Sequence, residues 1–435
     1  MNYEVIIIGA GVTGSAILYV LSNYTNVNNI AIVEKYSKIA QVNSQKDNNS
    51  QTLHFGDIET NYTLEKAKIV NRASAMTKKY LEKNESNLFK KFTKMVLAVG
   101  KEEVNELEKR YDEFKNLFPE LKKISKEDIA KIEPKIVEKR DSDENILALF
   151  SENGYAVDFG KLSESFVKNS LKTNKNIDVY LNTEVIKIEK KEKGYTVVTG
   201  KNILKANVVV VATAGHSLLF AHSLGYGKKY ILLPVAGSFF KAEKMLNGKV
   251  YTMQIKKLPF AAIHGDPDIL NSEETRFGPT AKVLPMLERY HYRTVFDFFK
   301  LFEVRLDAIL ALIKILSDKI IFKYVLKNFI YDIPLIGKIA FLKQVRKIIP
   351  SIKLNQLKYL KKVGGIRPQI VDVVDKKLEF GESKIIGENI IFDITPSPGA
   401  STCLSNAEKN TKKIVEFFGN KYKFNREKFM KDFDK

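Results

Sequence analysis

Six residues near the start of the chain have the types and spacing to hold a dinucleotide. Gly9-Ala10-Gly11-Val12-Thr13-Gly14 is a G-x-G-x-x-G that follows the β-branched run Val5-Ile6-Ile7-Ile8 and opens a helical pattern over residues 15–21. A second apolar run, Ile30-Ala31-Ile32-Val33, ends at Glu34, 20 residues beyond Gly14. Gly9 suits the tight turn, Gly11 lets backbone approach a pyrophosphate, and Gly14 lets helix pack closely on strand. The helix start offers N–H groups to phosphate, and Glu34 accepts hydrogen bonds from ribose hydroxyls. Among the five histidines, at 54, 216, 222, 264 and 291, His264 ends the apolar run 260–263 and turns at Gly265. Asp266, two residues on, can set the imidazole tautomer, which makes His264 a candidate base. A core-edge histidine satisfied by backbone fits the same pattern.

The elements that must position these groups are dispersed. The glycine motif alone does not separate FAD from NAD, but two later segments favour FAD. Residues 207–211 are a hydrophobic strand ending in the small residues Ala212-Thr213-Ala214-Gly215. Ile390-Ile391-Phe392-Asp393 runs into Ser397-Pro398-Gly399-Ala400-Ser401-Thr402 and a helix beginning around Cys403. A second backbone-rich turn opening a helix suits a flavin's pyrimidine edge, where N–H groups stabilise charge on the reduced ring. No second G-x-G-x-x-G exists, which points to an electron acceptor other than a nicotinamide.

Composition bounds the class. The 435 residues are 44 % hydrophobic and 28 % charged, ordinary for a folded chain of two or three units. Lysine and arginine exceed aspartate and glutamate by 71 to 51, a formal charge of +20. Nucleic acid, anionic lipid or an acidic small molecule could answer that charge. The absence of helix-turn-helix, RNP-like or zinc-finger patterns argues against nucleic acid. The single cysteine, Cys403, excludes an internal disulfide and fits a reducing compartment. The N-terminus lacks a basic signal region, and no run approaches the ~18 apolar residues of a spanning helix. The expected location is therefore the cytoplasm, in solution or on a membrane surface.

Several stretches, in order, resemble the D-amino-acid-oxidase-like superfamily of FAD enzymes, and within it the malate:quinone oxidoreductases. They are 9–34, Asn48-Asn49-Ser50-Gln51-Thr52-Leu53-His54, Asn61-Tyr62-Thr63, 212–215, Ile263-His264-Gly265-Asp266, Arg276-Phe277-Gly278-Pro279-Thr280, Gly365-Ile366-Arg367-Pro368-Gln369 and 397–402. L-2-hydroxyglutarate dehydrogenase or oxidase is the neighbouring reading, since Ile366-Arg367-Pro368-Gln369 looks nearer to those enzymes. A third reading, from another class, is a flavoprotein fold that binds membrane or nucleic acid without turnover.

The resemblance implies a Rossmann-like α/β FAD-binding domain interleaved with an α+β substrate domain. It also implies FAD as cofactor, a 2-hydroxy (di)carboxylate as substrate and a quinone as acceptor. Oxidising such a substrate moves a hydride from the α-carbon while a base takes the hydroxyl proton. The resemblance raises His264 as that base and makes His54, in the segment that passes the flavin ring, the second candidate for base or substrate orientation. His216 caps the next helix or touches cofactor, whereas His222 and His291 fall in helical patterns as surface or packing residues. Arg367 offers a bidentate fork for the substrate carboxylate. Gln369 shares its strand face, and Arg276 is a second clamp for the far end of a dicarboxylate. Asn49, Ser50, Thr52, Ala212, Gly215 and residues 397–402 join the cofactor site with Gly9, Gly11, Gly14 and Glu34.

Pieces that touch flavin lie at both ends and the middle, so residues 1–80, 150–220 and 363–425 are expected to form one discontinuous FAD domain. Residues 81–149 and 221–362 would form the substrate domain, with strands at 232–240, 250–255 and 258–263 and charged helices over 101–140. Residues 424–435 read as a charged tail. Residues 285–362 carry 16 basic and 6 acidic residues. Lys300, Glu303, Asp307, Lys314 and Asp318 make one helical stripe, with Phe302, Leu306, Ile309, Ile313, Leu316 and Ile320 opposite. Lys319, Lys323 and Lys327 repeat every fourth residue beyond it. Either the apolar side packs on the substrate domain, or it enters an anionic membrane surface on the inner face of the cell membrane.

Overall fold

The run Val5–Ile8 does what its composition requires: it is the middle of a parallel sheet with both faces covered. In the computed structural model, which describes all residues except 85–86, 255–257, 259–261, 304, 332, 334, 380–382, 396–397, 420 and 435, the strand Asn2–Ile8 lies between Asn29–Val33 and Ile203–Val211. Val5 pairs in parallel with Ile30 on one side and Val208 on the other. Asn176–Tyr180 extends the sheet beyond Asn29–Val33, and Ile390–Asp393 extends it beyond Ile203–Val211, again in parallel. Val5 and Ile7 pack towards the helices Val12–Tyr24, Phe159–Leu171 and Cys403–Phe417, while Ile6 and Ile8 face the opposite core with Val209 and Leu232.

Two further sheets carry the remaining chain. One has eight strands in the order Lys358–Tyr359, Phe240–Glu243, Glu274–Gly278, His264–Pro267, Lys249–Thr252, Phe89–Val99, Ile146–Val157 and Lys122–Ile124. The other has four: Lys282–Val283, Tyr230–Ala236, Ile366–Asp372 and Lys377–Leu378. Thus Ile366–Asp372, grouped above with the nucleotide unit, hydrogen-bonds to Tyr230–Ala236 instead. Residues 150–157, grouped there too, belong to the eight-stranded sheet.

The strand expected over 232–240 is two strands, because the chain passes between sheets at residues 237–239. A Cβ on Gly237 would come within 3.0 Å of Pro279 Cβ, so the crossing passes close to the 278–280 turn. Lys249–Thr252 is shorter than expected, and the strand anticipated at 258–263 falls partly outside the described residues; His264 begins the observed one. The C-terminal segment is not merely a charged tail. Residues Arg426–Phe433 form a helix, and Phe429 meets Tyr24 edge-on at 5.3 Å.

Candidate active site

The first wall of the main cavity is the glycine loop. Gly9 has φ +97°, and a Cβ there would sit 2.5 Å from Ala212 O. A Cβ on Gly14 would sit 1.9 Å from Gly9 O, so Gly14 serves helix–strand packing and does not reach the cavity. A Cβ on Gly11 would have one near neighbour, Ser44 Oγ at 3.4 Å, which leaves room over the helix start. Glu34 closes this end. It accepts from Ala10 N–H at 2.9 Å and Tyr36 N–H at 3.1 Å, and burial pushes its carboxyl up despite those bonds. An open backbone cradle at a helix N-terminus, with a carboxylate beside it, fits the pyrophosphate and ribose of FAD.

The same cavity continues past Asn49, Ser50, Thr52 and His54, past Ala212 and Ala214, and past Arg367 and Pro398-Gly399-Ala400-Ser401. Four distant segments therefore converge on the space beside the glycine loop. Hydrogen bonds lock two of them together: His54 N–H donates to Ser401 Oγ at 3.0 Å, and Ser401 Oγ donates to Thr52 O at 3.3 Å. Gly215 and Thr402 lie off the wall. Gly215 packs against Leu232, Leu287 and Pro368, and the Thr402 hydroxyl is buried beneath the turn. Ser397 lies outside the described residues.

His54 is the candidate base that faces the cavity. Its Nδ1 is 2.6 Å from Glu59 Oε1, and an ionised carboxylate only accepts, so the proton sits on Nδ1 and Nε2 is the free acceptor. His264 is placed differently from expectation. It is buried, touches Asp266 through Nδ1, stacks on Tyr251 with ring centroids 4.6 Å apart, and is not part of the cavity wall. Tyr251 shares a 2.9 Å hydrogen bond with Thr52, which is a wall residue. Burial pushes the His264 imidazole down, against the pull of Asp266.

Arg367 reaches the cavity and has no carboxylate within ion-pair distance among the described residues. Burial lowers its proton affinity, opposed by the tyrosines 324 and 62. A desolvated guanidinium without an acid partner is a receptor for a carboxylate. The other two clamp residues are employed elsewhere. Gln369 donates to Glu379 O, just past the neighbouring strand Lys377–Leu378, and does not reach the wall. Arg276 is buried against the Phe239 ring and points towards the carbonyls of Asp47 and Asn49 at 3.5 and 3.4 Å, with Asp268 3.6 Å away. It braces the 47–49 segment.

A family model described as malate:quinone oxidoreductase matches residues 1–424. A probable malate:quinone oxidoreductase of Campylobacter jejuni is 43 % identical over 441 residues, covering 98 % of each chain. The chain belongs to the malate:quinone oxidoreductase family. A malate:quinone oxidoreductase of Helicobacter pylori is 42 % identical over 442 residues, covering 99 % of this chain and 98 % of that one. The fold matches L-alpha-glycerophosphate oxidase from Mycoplasma pneumoniae with TM-score 0.67 at 18 % identity, covering 98 % and 96 % of the two chains. It matches glycine oxidase from Geobacillus kaustophilus with TM-score 0.66 at 16 % identity, covering 95 % of each. Membership in this family makes the chain an oxidoreductase of malate with quinone as acceptor, and the reading as a module without turnover gives way to it.

In this malate:quinone oxidoreductase family member, the cavity wall includes Glu288, which motif reading missed, and His216, which it expected at a helix start or against cofactor. Glu288 comes from the basic segment to meet Lys35, 2.5 Å away, and the Tyr36 hydroxyl. His216, at the start of its helix, lies 3.7 Å from Glu288 and 3.6 Å from Asp297. No periodic pattern links residues some 250 positions apart. His222 is buried and its Nε2 pairs with Gly227 O at 3.1 Å, while His291 sits in a turn rather than a helix.

Proposed function

We propose that this chain oxidises (S)-malate to oxaloacetate, with Arg367 holding a substrate carboxylate and His54 taking the hydroxyl proton. The observation that carries this reading is the meeting of an acid-free guanidinium and a carboxylate-backed imidazole on the wall of the dinucleotide cavity. FAD, when bound, supplies the two-electron acceptor and hands those electrons to quinone. Gly9, Gly11 and Glu34 would hold its dinucleotide end, and Pro398–Ser401 its ring end. As malate's C2–H leaves with its electron pair, the C2 hydroxyl proton passes to His54 Nε2 and the C2=O bond forms. Arg367 fixes the carboxylate so that the hydroxyl faces His54, which is positioning rather than bond-making. Anaerobic addition of 2-hydroxy acids to the purified yellow protein tests the reading. Malate is expected to bleach it fastest; bleaching by 2-hydroxyglutarate and not by malate would transfer the assignment to the longer acid.

The quinone is lipid-soluble, and the same proposal has the protein dock on anionic lipid from the cytoplasmic side. Four helices follow one another at Thr294–Lys300, Leu306–Leu316, Lys319–Ile330 and Ile336–Val345. The second packs one apolar side inward, with Leu312 and Leu316 half-buried against the core, and leaves another apolar side uncovered. Its buried residues are Ala308, Ala311 and Ile315, while Leu306 is 75 % exposed and Leu310, Ile309 and Ile313 are exposed with it. Phe296 is 72 % and Leu335 80 % exposed on the flanking segments, and Phe322, Leu326 and Phe329 are exposed on the third helix beside Lys319 and Lys323. Apolar residues in such number, rimmed by lysine, mark an interaction surface. Among the described residues no helix is long and apolar enough to cross a membrane. Liposomes containing anionic lipid are expected to float the protein at low salt. Charge reversal at Lys319 and Lys323, or Leu306→Glu with Leu310→Glu, should leave it in the pellet fraction; flotation unaffected by both would refute lipid docking.

A further inference from the structure

Behind His54 lies a group of buried charges that neither the motifs nor the family name assigns. Glu59 is 5 % exposed at its side chain, and its Oε1 meets His54 Nδ1 at 2.6 Å, while Oε2 is buried without a hydrogen-bond partner among the described residues. Its backbone is pinned: Arg110, on the helix Lys101–Phe114, donates to Glu59 O at 2.6 Å and to Tyr62 O at 3.1 Å. The imidazole's own backbone is fixed on both sides, its N–H by Ser401 Oγ and its carbonyl by Ser74 Oγ. We propose that Glu59 is a positioning residue for malate oxidation, orienting His54 through Nδ1 so that Nε2 is always the bare nitrogen facing the substrate hydroxyl.

The proposal rests on the reading of His54 as base. Its physical basis is the cost of a free imidazole: a ring that can flip or exchange tautomers presents the wrong nitrogen for part of the time. A carboxylate at hydrogen-bond distance removes both freedoms and stabilises the imidazolium formed when the proton arrives. Burial pushes the Glu59 carboxyl up, but the bond from His54 and the charge of Lys94 oppose it and hold it below the usual carboxylate range. Glu59 is therefore held as the carboxylate that accepts from His54 Nδ1. The charged neighbours are accounted for. Lys94, on the strand Phe89–Val99, is spoken for by Asp57 at 2.7 Å with both side chains 2 % exposed. Arg110 is engaged with carbonyls, Lys66 lies over the Tyr62 ring at 4.3 Å, and His264 is held by Asp266. None of these bonds the Glu59 carboxylate in place of His54.

The test uses the holoenzyme with flavin retained. Glu59→Gln is expected to slow anaerobic flavin reduction by malate about tenfold or more, with a smaller change in apparent malate affinity. Removing the negative partner disfavours imidazolium, so the acid limb of the rate profile should move to lower pH. Combined with His54→Asn, the second substitution should add almost nothing. If His54→Asn alone leaves the reduction rate intact, the base reading fails, and Glu59 falls with it. If His54→Asn is slow while Glu59→Gln keeps both the rate and the acid limb, only the positioning role is overturned. Should Glu59→Gln not fold, the wild type answers by nitrogen-15 spectra of its five histidines, His54 being assigned with His54→Asn. A proton on Nδ1 of His54 supports the proposal, and a proton on Nε2 with Nδ1 bare refutes it.

Discussion

Replacing His54 with alanine is expected to slow anaerobic flavin reduction by malate on the order of 10²- to 10⁴-fold, the range lost with a general base. The loss should appear in the first-order reduction step at saturating malate, since the group takes a proton in the reaction and does not grip the substrate. Flavin should stay bound, because the cofactor contacts expected from the glycine loop and Pro398–Ser401 are untouched. Stopped-flow bleaching measured against malate concentration checks both statements. His264→Ala provides the contrast. That ring is buried on Tyr251 and Asp266, off the cavity wall, so its loss should act through packing, with a smaller effect on reduction. A full rate in His54→Ala with a collapsed rate in His264→Ala would exchange the two roles.

Arg367→Ala is expected to raise the malate concentration needed for half-maximal reduction on the order of 10²-fold or more, as loss of one partner of a desolvated charged hydrogen bond does. Flavin should again be retained. The expected size follows from the absence of an acidic partner among the described residues: the guanidinium has no internal carboxylate to satisfy it, so substrate binding recovers interactions that the folded protein leaves unmade. Arg367→Lys should recover only part of the affinity, because an ammonium lacks the planar fork that meets both carboxylate oxygens. Unchanged kinetics in Arg367→Ala, measured by the same bleaching experiment, would remove the residue from the substrate site.

Legibility in the sequence followed the range of each interaction. The nucleotide cradle was readable because all its parts lie within 34 residues and each has a local signature: a β-branched run, glycines at fixed offsets, a helix and a terminal acid. The C-terminal turn was readable for the same reason, and its helix begins at Cys403 as the pattern indicates. Local pattern ranked His264 above His54, whereas the cavity wall holds His54 and not His264. His264 has Asp266 two residues away and so looks like an oriented base, yet the strand that carries it faces the core. His54 has Glu59 five residues on, in a loop without period, and no spacing rule marks that pair. Arg276 and Gln369 look like a clamp in a one-dimensional reading, but their partners are carbonyls reached only after folding.

By itself, then, the chain's order of residues determined the dinucleotide-binding βαβ unit, the family and the candidate carboxylate receptor Arg367, because these depend on short-range geometry and on residue chemistry. Tertiary structure alone decided which candidate base meets the cavity, that Glu288 crosses to Lys35, and that helix Leu306–Leu316 leaves Leu306, Ile309, Leu310 and Ile313 exposed. The physical reason is burial. A side chain's periodicity says which residues share a face, but whether that face meets water, cofactor or core depends on what other segments leave uncovered.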